Sequence, residues 1–163
     1  MERIIIKMND EYYKADSDIE TLLAYIAGET ENKEKTRYYN GRGLAKDWKK
    51  AAKAFIKVQR KYGKAKQRRL YHLFVSFPEQ VDDANFVKLV AENIANLLFD
   101  KHQIYYGVHE DTDNLHIHIA INAVSYVDGR KWHQSKKEFE DMKKRIRKVV
   151  DKVYGDGNLN ILK

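Results

Sequence analysis

Residues 104–125 read IYYGVHEDTDNLHIHIAINAVS, and the pattern of this stretch decides the fold. Apolar-rich runs, Ile104 to Val108 and Leu115 to Val124, flank the polar residues Glu110-Asp111-Thr112-Asp113-Asn114. Two such runs joined by a few Asp and Asn residues predict a β-hairpin. Side chains of a strand alternate between its faces. Leu115, Ile117, Ile119 and Ile121 therefore share the face that must meet a core. His116, His118, Ala120 and Asn122 share the other. His109, at the end of the first strand, lies across the hairpin from the histidine pair. Three imidazoles converging from two paired strands make an open metal site, with positions left for substrate oxygens. A His-x-His pair alone is commonly incidental. Three of the six histidines within a short hairpin, all on one face, favour ligands.

The composition narrows what surrounds this site. At 163 residues the chain is one domain by length, long enough to bury a core. It has no cysteine, which excludes disulfides and thiolate ligands and fits a reducing, cytoplasmic setting. The apolar run Ile4-Ile5-Ile6 is too short for a signal peptide. No run approaches the roughly 20 apolar residues of a membrane span, so no membrane insertion is expected. The net charge is +7, unevenly spread. Residues 46–69 hold eleven Lys or Arg against one acid, Asp47. Such a block is either a solvated helix face or a footprint for a polyanion. The scarcity of acids favours nucleic acid, and the lack of a broad Trp, Phe and Leu face argues against an interfacial membrane helix.

Taken in order, Arg3 to Met8 predicts a strand. Ile19, Leu22, Leu23 and Ile26 fall at helical spacing, with Asp16, Ser17 or Asp18 as cap and Gly28 as stop. Tyr25 sits beside that stripe, where a tyrosine is ordinarily a core-rim residue. Residues 29–46 have no period and carry Asn40-Gly41, which predicts a loop; Tyr38, Tyr39 and Arg42 in it are either turn residues or contacts for bases and phosphate. A helix follows to about Tyr62, with Lys53, Lys57 and Arg60 on its outward face. Arg69 to Phe77 predicts a strand, and its residues His72, Phe74 and Ser76 share a face. Residues from Asp82 or Asp83 to Leu98 form the clearest amphipathic helix. Lys131-Trp132-His133 follows the hairpin as a short return, and Ser135 caps a last helix running to about Tyr154. The expected fold is α+β, an antiparallel sheet with helices packed mainly on one face and the metal site on the central hairpin. The ordered core should span about residues 3–154, with 155–163 as a tail.

These residues also carry a resemblance. His109-x-Asp111-x-x-x-x-His116-x-His118-x-x-x-Asn122 resembles the third motif of the MobA-type plasmid mobilisation relaxases, in the HUH endonuclease superfamily. Tyr71-His72-Leu73-Phe74-Val75-Ser76-Phe77-Pro78 is similar to their middle motif, and Leu22-Leu23-Ala24-Tyr25-Ile26 to the motif that holds the nucleophilic tyrosine. Order and spacing fit one relaxase domain over nearly the whole chain. The resemblance implies site- and strand-specific DNA nicking by tyrosine transesterification. That reaction leaves a 5′-phosphotyrosine link and a free 3′-OH, and starts conjugative transfer or mobilisation. It makes Tyr25 the nucleophile. Asp111 would orient a ligand imidazole or act as a base, unless it is an ordinary turn residue. One divalent ion is implied, Mn or Mg in use, with Zn, Ni or Co in a purified sample. The partners would be single-stranded DNA at an origin of transfer, with accessory relaxosome and coupling proteins around a monomer. Three other readings stay open: a rolling-circle initiator using Tyr154, a metal hydrolase using activated water, and a basic DNA-binding domain with a structural metal completed by His133. The roles of His72 and Asn122 are not readable from sequence.

Overall fold

A computed structural model describes residues 4–29, 35–111 and 113–156, apart from the side chains of Asp111 and Asp156. The order is β1 (Ile5–Met8), α1 (Asp16–Ile26), β2 (Thr36–Arg42), α2 (Trp48–Lys61), β3 (Leu70–Ser76), α3 (Ala84–Leu98), β4 (Ile104–Asp111), β5 (Asn114–Asn122) and α4 (Lys136–Asp156). The strands form one sheet in the order β1-β3-β5-β4-β2, and every neighbouring pair is antiparallel. The hairpin β4–β5 lies at its centre, as expected.

Alternation assigns the two faces. Leu73 and Val75 of β3, Val108 of β4 and Ile117, Ile119 and Ile121 of β5 point to one side. There they meet Phe86, Val90 and Ile94 of α3 and Met142, Ile146 and Val150 of α4. The other side carries Leu70, Tyr105 and Ala120 under Ile19, Leu23 and Ile26 of α1 and Ala51, Ala52 and Phe55 of α2. Helices thus lie on both faces of the α+β sheet, where the sequence reading placed them mainly on one. An amphipathic stripe says that a helix packs, not which face receives it.

The helix starts follow local chemistry. Asp83 accepts from the N–H groups of Asn85 and Phe86, and Asp47 from that of Lys49. Ser135 and Glu138 form a reciprocal capping box, with Ser135 Oγ accepting from the Glu138 N–H and Glu138 Oε1 from the Ser135 N–H. At α1 the capping position is Ala15, and Asp18 reaches back to accept from the N–H groups of Lys14 and Ala15. Gly28, at φ +79°, ends α1 in the left-handed conformation that glycine adopts without strain.

The predicted loop 29–46 contains the edge strand β2, paired with β4 from Thr36↔His109 to Arg42↔Ile104. Residues 30–34 lie outside the described residues. So does most of the expected tail, although Gly155 and Asp156 still belong to α4. Lys131 makes a single bridge to Val124 rather than a strand.

A polar network is buried beneath α2. Asn122, fully buried, accepts from Gln59 Nε2 (2.9 Å) and the Val124 N–H (3.0 Å), and donates to Gln103 Oε1 (2.9 Å) and the Phe55 carbonyl (3.2 Å). Arg69, 4% exposed, donates to Gln59 Oε1 and to Asp16 at the start of α1. The network ties α1 and α2 to the ends of β3 and β5.

Candidate active site

Strand register builds the site in rows. Ile5, Ser76, His116, His109 and Thr36 lie opposite one another across β1, β3, β5, β4 and β2. The next row on the same face is Lys7, Phe74, His118, Gly107 and Tyr39. His109 and His118 stand 4.7 Å apart between ring centroids, and His116 stacks 6.2 Å from His118. The three imidazoles anticipated from the hairpin therefore share one patch of one face.

Tyr25 joins them from α1. Its ring is edge-on to His109 at 5.0 Å and to His118 at 5.2 Å. Two features fix this approach. His109 Nε2–H donates to the carbonyl of Ile26, the residue after Tyr25, at 2.9 Å. Gly107 lies beneath the same turn, and a Cβ there would sit 2.8 Å from the Ile26 oxygen. The absent side chain lets the last turn of α1 lie against the sheet. Tyr154, the other nucleophile considered, is on the far side of the sheet, packed at 6.4 Å against Phe86.

The site extends to a histidine whose role the sequence left open. His72 Nε2 is 3.0 Å from His118 Nδ1, and the Tyr13 hydroxyl is 3.2 Å from His72 Nδ1. His72 is 6% exposed, and burial, helped by His109, lowers its pKa to about 4. Burial and the surrounding imidazoles of His72, His109 and His116 also push His118 well below the ordinary imidazole range. These two rings are neutral near pH 7, the form in which imidazole binds metals.

The donor set suits a borderline divalent ion. A neutral ligand imidazole gives one nitrogen to the metal and donates a hydrogen bond from the other. The His109 Nε2–H on a carbonyl oxygen leaves the lone pair of that ring on Nδ1 when the imidazole is neutral. With the rings as they stand, however, no group of three or more His, Cys, Asp or Glu side chains among the described residues is gathered closely enough to hold an ion. The Asp111 side chain lies outside those described. His133 lines a different cleft, with Trp132, Gln134 and Phe139.

The anticipated DNA contacts are dispersed. Tyr38 and Arg42 face α3: Tyr38 is 6.1 Å from Tyr106, and Arg42 stacks 4.3 Å above Phe99 while donating to Asn96. Tyr39 is on the histidine face but packs on Tyr105 at 6.5 Å. Lys53, Lys57 and Arg60 are exposed around Ile56 on the outer side of α2, and Arg60 pairs with Asp16 at 2.8 Å. Sequence reasoning passed over Lys7 and Phe74, which continue the histidine row toward β1. Lys7 Nζ lies 5.9 Å from the centre of the half-exposed Phe74 ring. The signal was there: Phe74 alternates with His72 and Ser76.

The family model for "Relaxase: MobA/VirD2-like, nuclease domain" matches residues 25–154. Protein TraI of Escherichia coli is 50% identical over 56 residues, which cover 33% of this chain and 8% of TraI. Protein rlx of Staphylococcus aureus is 32% identical over 112 residues, 68% of this chain and 32% of rlx. The chain thus spans under a third of the curated relatives it matches. A solved structure titled "Molecular Basis of Vancomycin Resistance Transfer in Staphylococcus aureus" shares the fold, with a TM-score of 0.65 at 13% identity, covering 96% of this chain and 95% of that one.

Proposed function

The chain belongs to the MobA/VirD2-like relaxase family as its nuclease domain, a class of DNA-nicking enzymes, and from that premise we propose that Tyr25 is its nucleophile. The observation that carries this reading is the Tyr25 ring set against His109 and His118 at the centre of the sheet. The phenol oxygen of Tyr25 bonds to the phosphorus of a single-stranded phosphodiester. The phenol proton passes to a base, the P–O3′ bond breaks, and the departing 3′-oxygen takes up a proton. The products are a 5′-phosphotyrosine and a free 3′-OH, and the covalent link keeps the phosphoester available for later rejoining. A divalent ion on His109, His116 and His118 would neutralise the non-bridging oxygens and orient the phosphate.

The nicked strand would cross the open half of the histidine face, where Phe74 offers a base-stacking surface and Lys7 a phosphate contact. The Lys53, Lys57 and Arg60 stripe would hold DNA further along. The whole chain acts as one nuclease domain, a monomer that works in the cytoplasm at an origin of transfer with accessory and coupling proteins. Among the described residues no helix is long and apolar enough to cross a membrane.

Incubation with Mn and a labelled pool of single-stranded oligonucleotides tests the reading. A denaturation-resistant adduct whose nucleotide maps to Tyr25 is the expected result. An adduct on another tyrosine, or cleavage that leaves no covalent protein, would overturn it.

A further inference from the structure

We propose that the cleft between α3, residues 125–134 and the start of α4 is a nucleotide-binding site. His102 accepts a hydrogen bond from the base, and Arg130 and Lys66 hold the phosphate. The site lies across the sheet from Tyr25 and stands apart from the nicking step.

The cleft has a volume of about 490 Å³, within the roughly 300–1,000 Å³ of small-ligand pockets. Leu97 and Leu98 of α3, Met142 of α4 and Trp132 line it, which suits a flat, largely apolar ring. His102 lines it too, with its ring 5.0 Å from that of Trp132. His102 is 8% exposed, and its Nδ1 lies 2.7 Å from the Asn122 carbonyl. A carbonyl can only accept, so Nδ1 carries a proton and donates. Burial lowers the pKa of this ring, which is therefore neutral near pH 7 and keeps a lone pair on Nε2. That nitrogen has no hydrogen-bond partner among the described residues. A buried ring that keeps one lone pair free beside a cleft is set to accept from a ligand, and the amino and imino groups of nucleobases are such donors.

Charge selects among ligands. Lys101, Arg130 and Arg145 are exposed at the rim, with Asp100, Asp128, Glu138 and Asp141. Two of these acids are engaged locally. Asp128 accepts from the Arg130 N–H and stands 3.9 Å from its guanidinium, and Glu138 accepts from the Ser135 N–H. The balance tips beside the cleft, where lysines pin two loops to each other. Lys131 Nζ donates to the carbonyls of Lys66 and Arg68, and Lys64 Nζ to that of Gly129. Burial, then the like charges of Arg69, Lys64 and Lys66, lower the Lys131 pKa. Cations held this close favour a phosphate over a neutral or cationic side chain of a peptide. A ligand that joins a hydrogen-bonding ring to a phosphate is a nucleotide, free or within a strand.

The test uses full-length, metal-free protein and reads its imidazole and indole nitrogens by NMR. The probes are deoxyadenosine monophosphate, deoxyadenosine, tryptophanamide and a short single-stranded oligonucleotide. The monophosphate should shift His102 and Trp132 and leave Trp48, on α2, unmoved. His102→Leu should weaken its binding by about twofold to tenfold. Lys66→Gln with Arg130→Gln, both exposed, should weaken it roughly fivefold and leave deoxyadenosine unchanged. Unchanged amide spectra would show that the variants fold, and the exposed pair decides if His102→Leu does not. Competition by the oligonucleotide would assign the nucleotide to a DNA strand, and failure to compete would assign it to a free nucleotide. A monophosphate that leaves His102 and Trp132 unmoved, or that binds the exposed double variant as tightly as wild type, would overturn the proposal. So would tighter binding of tryptophanamide than of the monophosphate, which would make the cleft a peptide site.

Discussion

The Tyr25 ring stands edge-on to the His109 ring, with 5.0 Å between their centres and 66° between their planes. One residue comes from the end of a helix and the other from the middle of the sheet, and the Ile26 carbonyl bonded to His109 locks the two elements together. If this pairing sets the phenol for attack, Tyr25→Phe should abolish the covalent adduct and leave DNA binding and melting temperature within error. Tyr154→Phe, beyond the sheet, should leave adduct formation intact. Gel analysis of denatured reactions reads both, and a Tyr25→Phe protein that still forms the adduct would sink the assignment.

The imidazole cluster should be needed for the chemistry but not for the fold. His116→Ala and His118→Ala are expected to lower nicking by more than about a hundredfold, beyond what outer-shell changes produce. Excess EDTA should do the same to wild type, reversibly. Full nicking in EDTA would remove the metal from the mechanism.

Two surfaces compete for the role of DNA track, and salt separates them. Replacing Lys53, Lys57 and Arg60 together should make the salt dependence of single-strand binding shallower by about 2 in log–log slope, at roughly 0.7 per phosphate contact. Phe74→Ala should leave that slope alone and weaken binding by about 1–3 kcal/mol through lost stacking. An unchanged slope in the triple variant would place the strand away from α2.

Asn122 should matter for stability rather than chemistry. Its side chain makes four hydrogen bonds in a fully buried position. Asn122→Ala should cost about 3 kcal/mol, since each orphaned buried partner costs roughly 1–3 kcal/mol. Urea unfolding measures it, and a loss below about 1 kcal/mol would mean that the network relaxes.

Alkaline pH should unfold the protein through its buried phenols. Burial raises the pKa of Tyr13, Tyr105 and Tyr106. In the unfolded chain these groups lose their protons near pH 10. Above that pH the unfolded state binds fewer protons than the folded one, so stability falls as pH rises. Urea midpoints should drop from about pH 10 upward, less steeply in Tyr105→Phe, and phenolate absorbance should appear together with unfolding. A midpoint that holds steady as the phenolate signal grows would contradict this.

The hairpin was legible because one of its faces is continuously aliphatic and the other carries polar residues at every second position. Strand β2 was not. Thr36-Arg37-Tyr38-Tyr39-Asn40-Gly41-Arg42 lies at an edge, sends Tyr38 toward α3 and Tyr39 toward the opposite side, and contains a turn dipeptide. It therefore shows neither alternation nor an apolar run. His72 was visible as a residue on the same face as Phe74, but its partners Tyr13 and His118 come from distant segments, and no local pattern announces them. The Gln59 amide buried in α2 was hidden for the same reason, since its partners arrive from β3 and β5.

Strand order has a consequence for biosynthesis. β5 is the middle strand of the sheet and, among the described residues, the last to leave the ribosome. Until it does, the β1–β3 pair and β2 have no strand in common, and their inner edges stay unsatisfied. The hairpin β4–β5 closes both gaps at once and delivers three histidines in the same event. The sheet and the histidine face therefore come into being in the same step of synthesis.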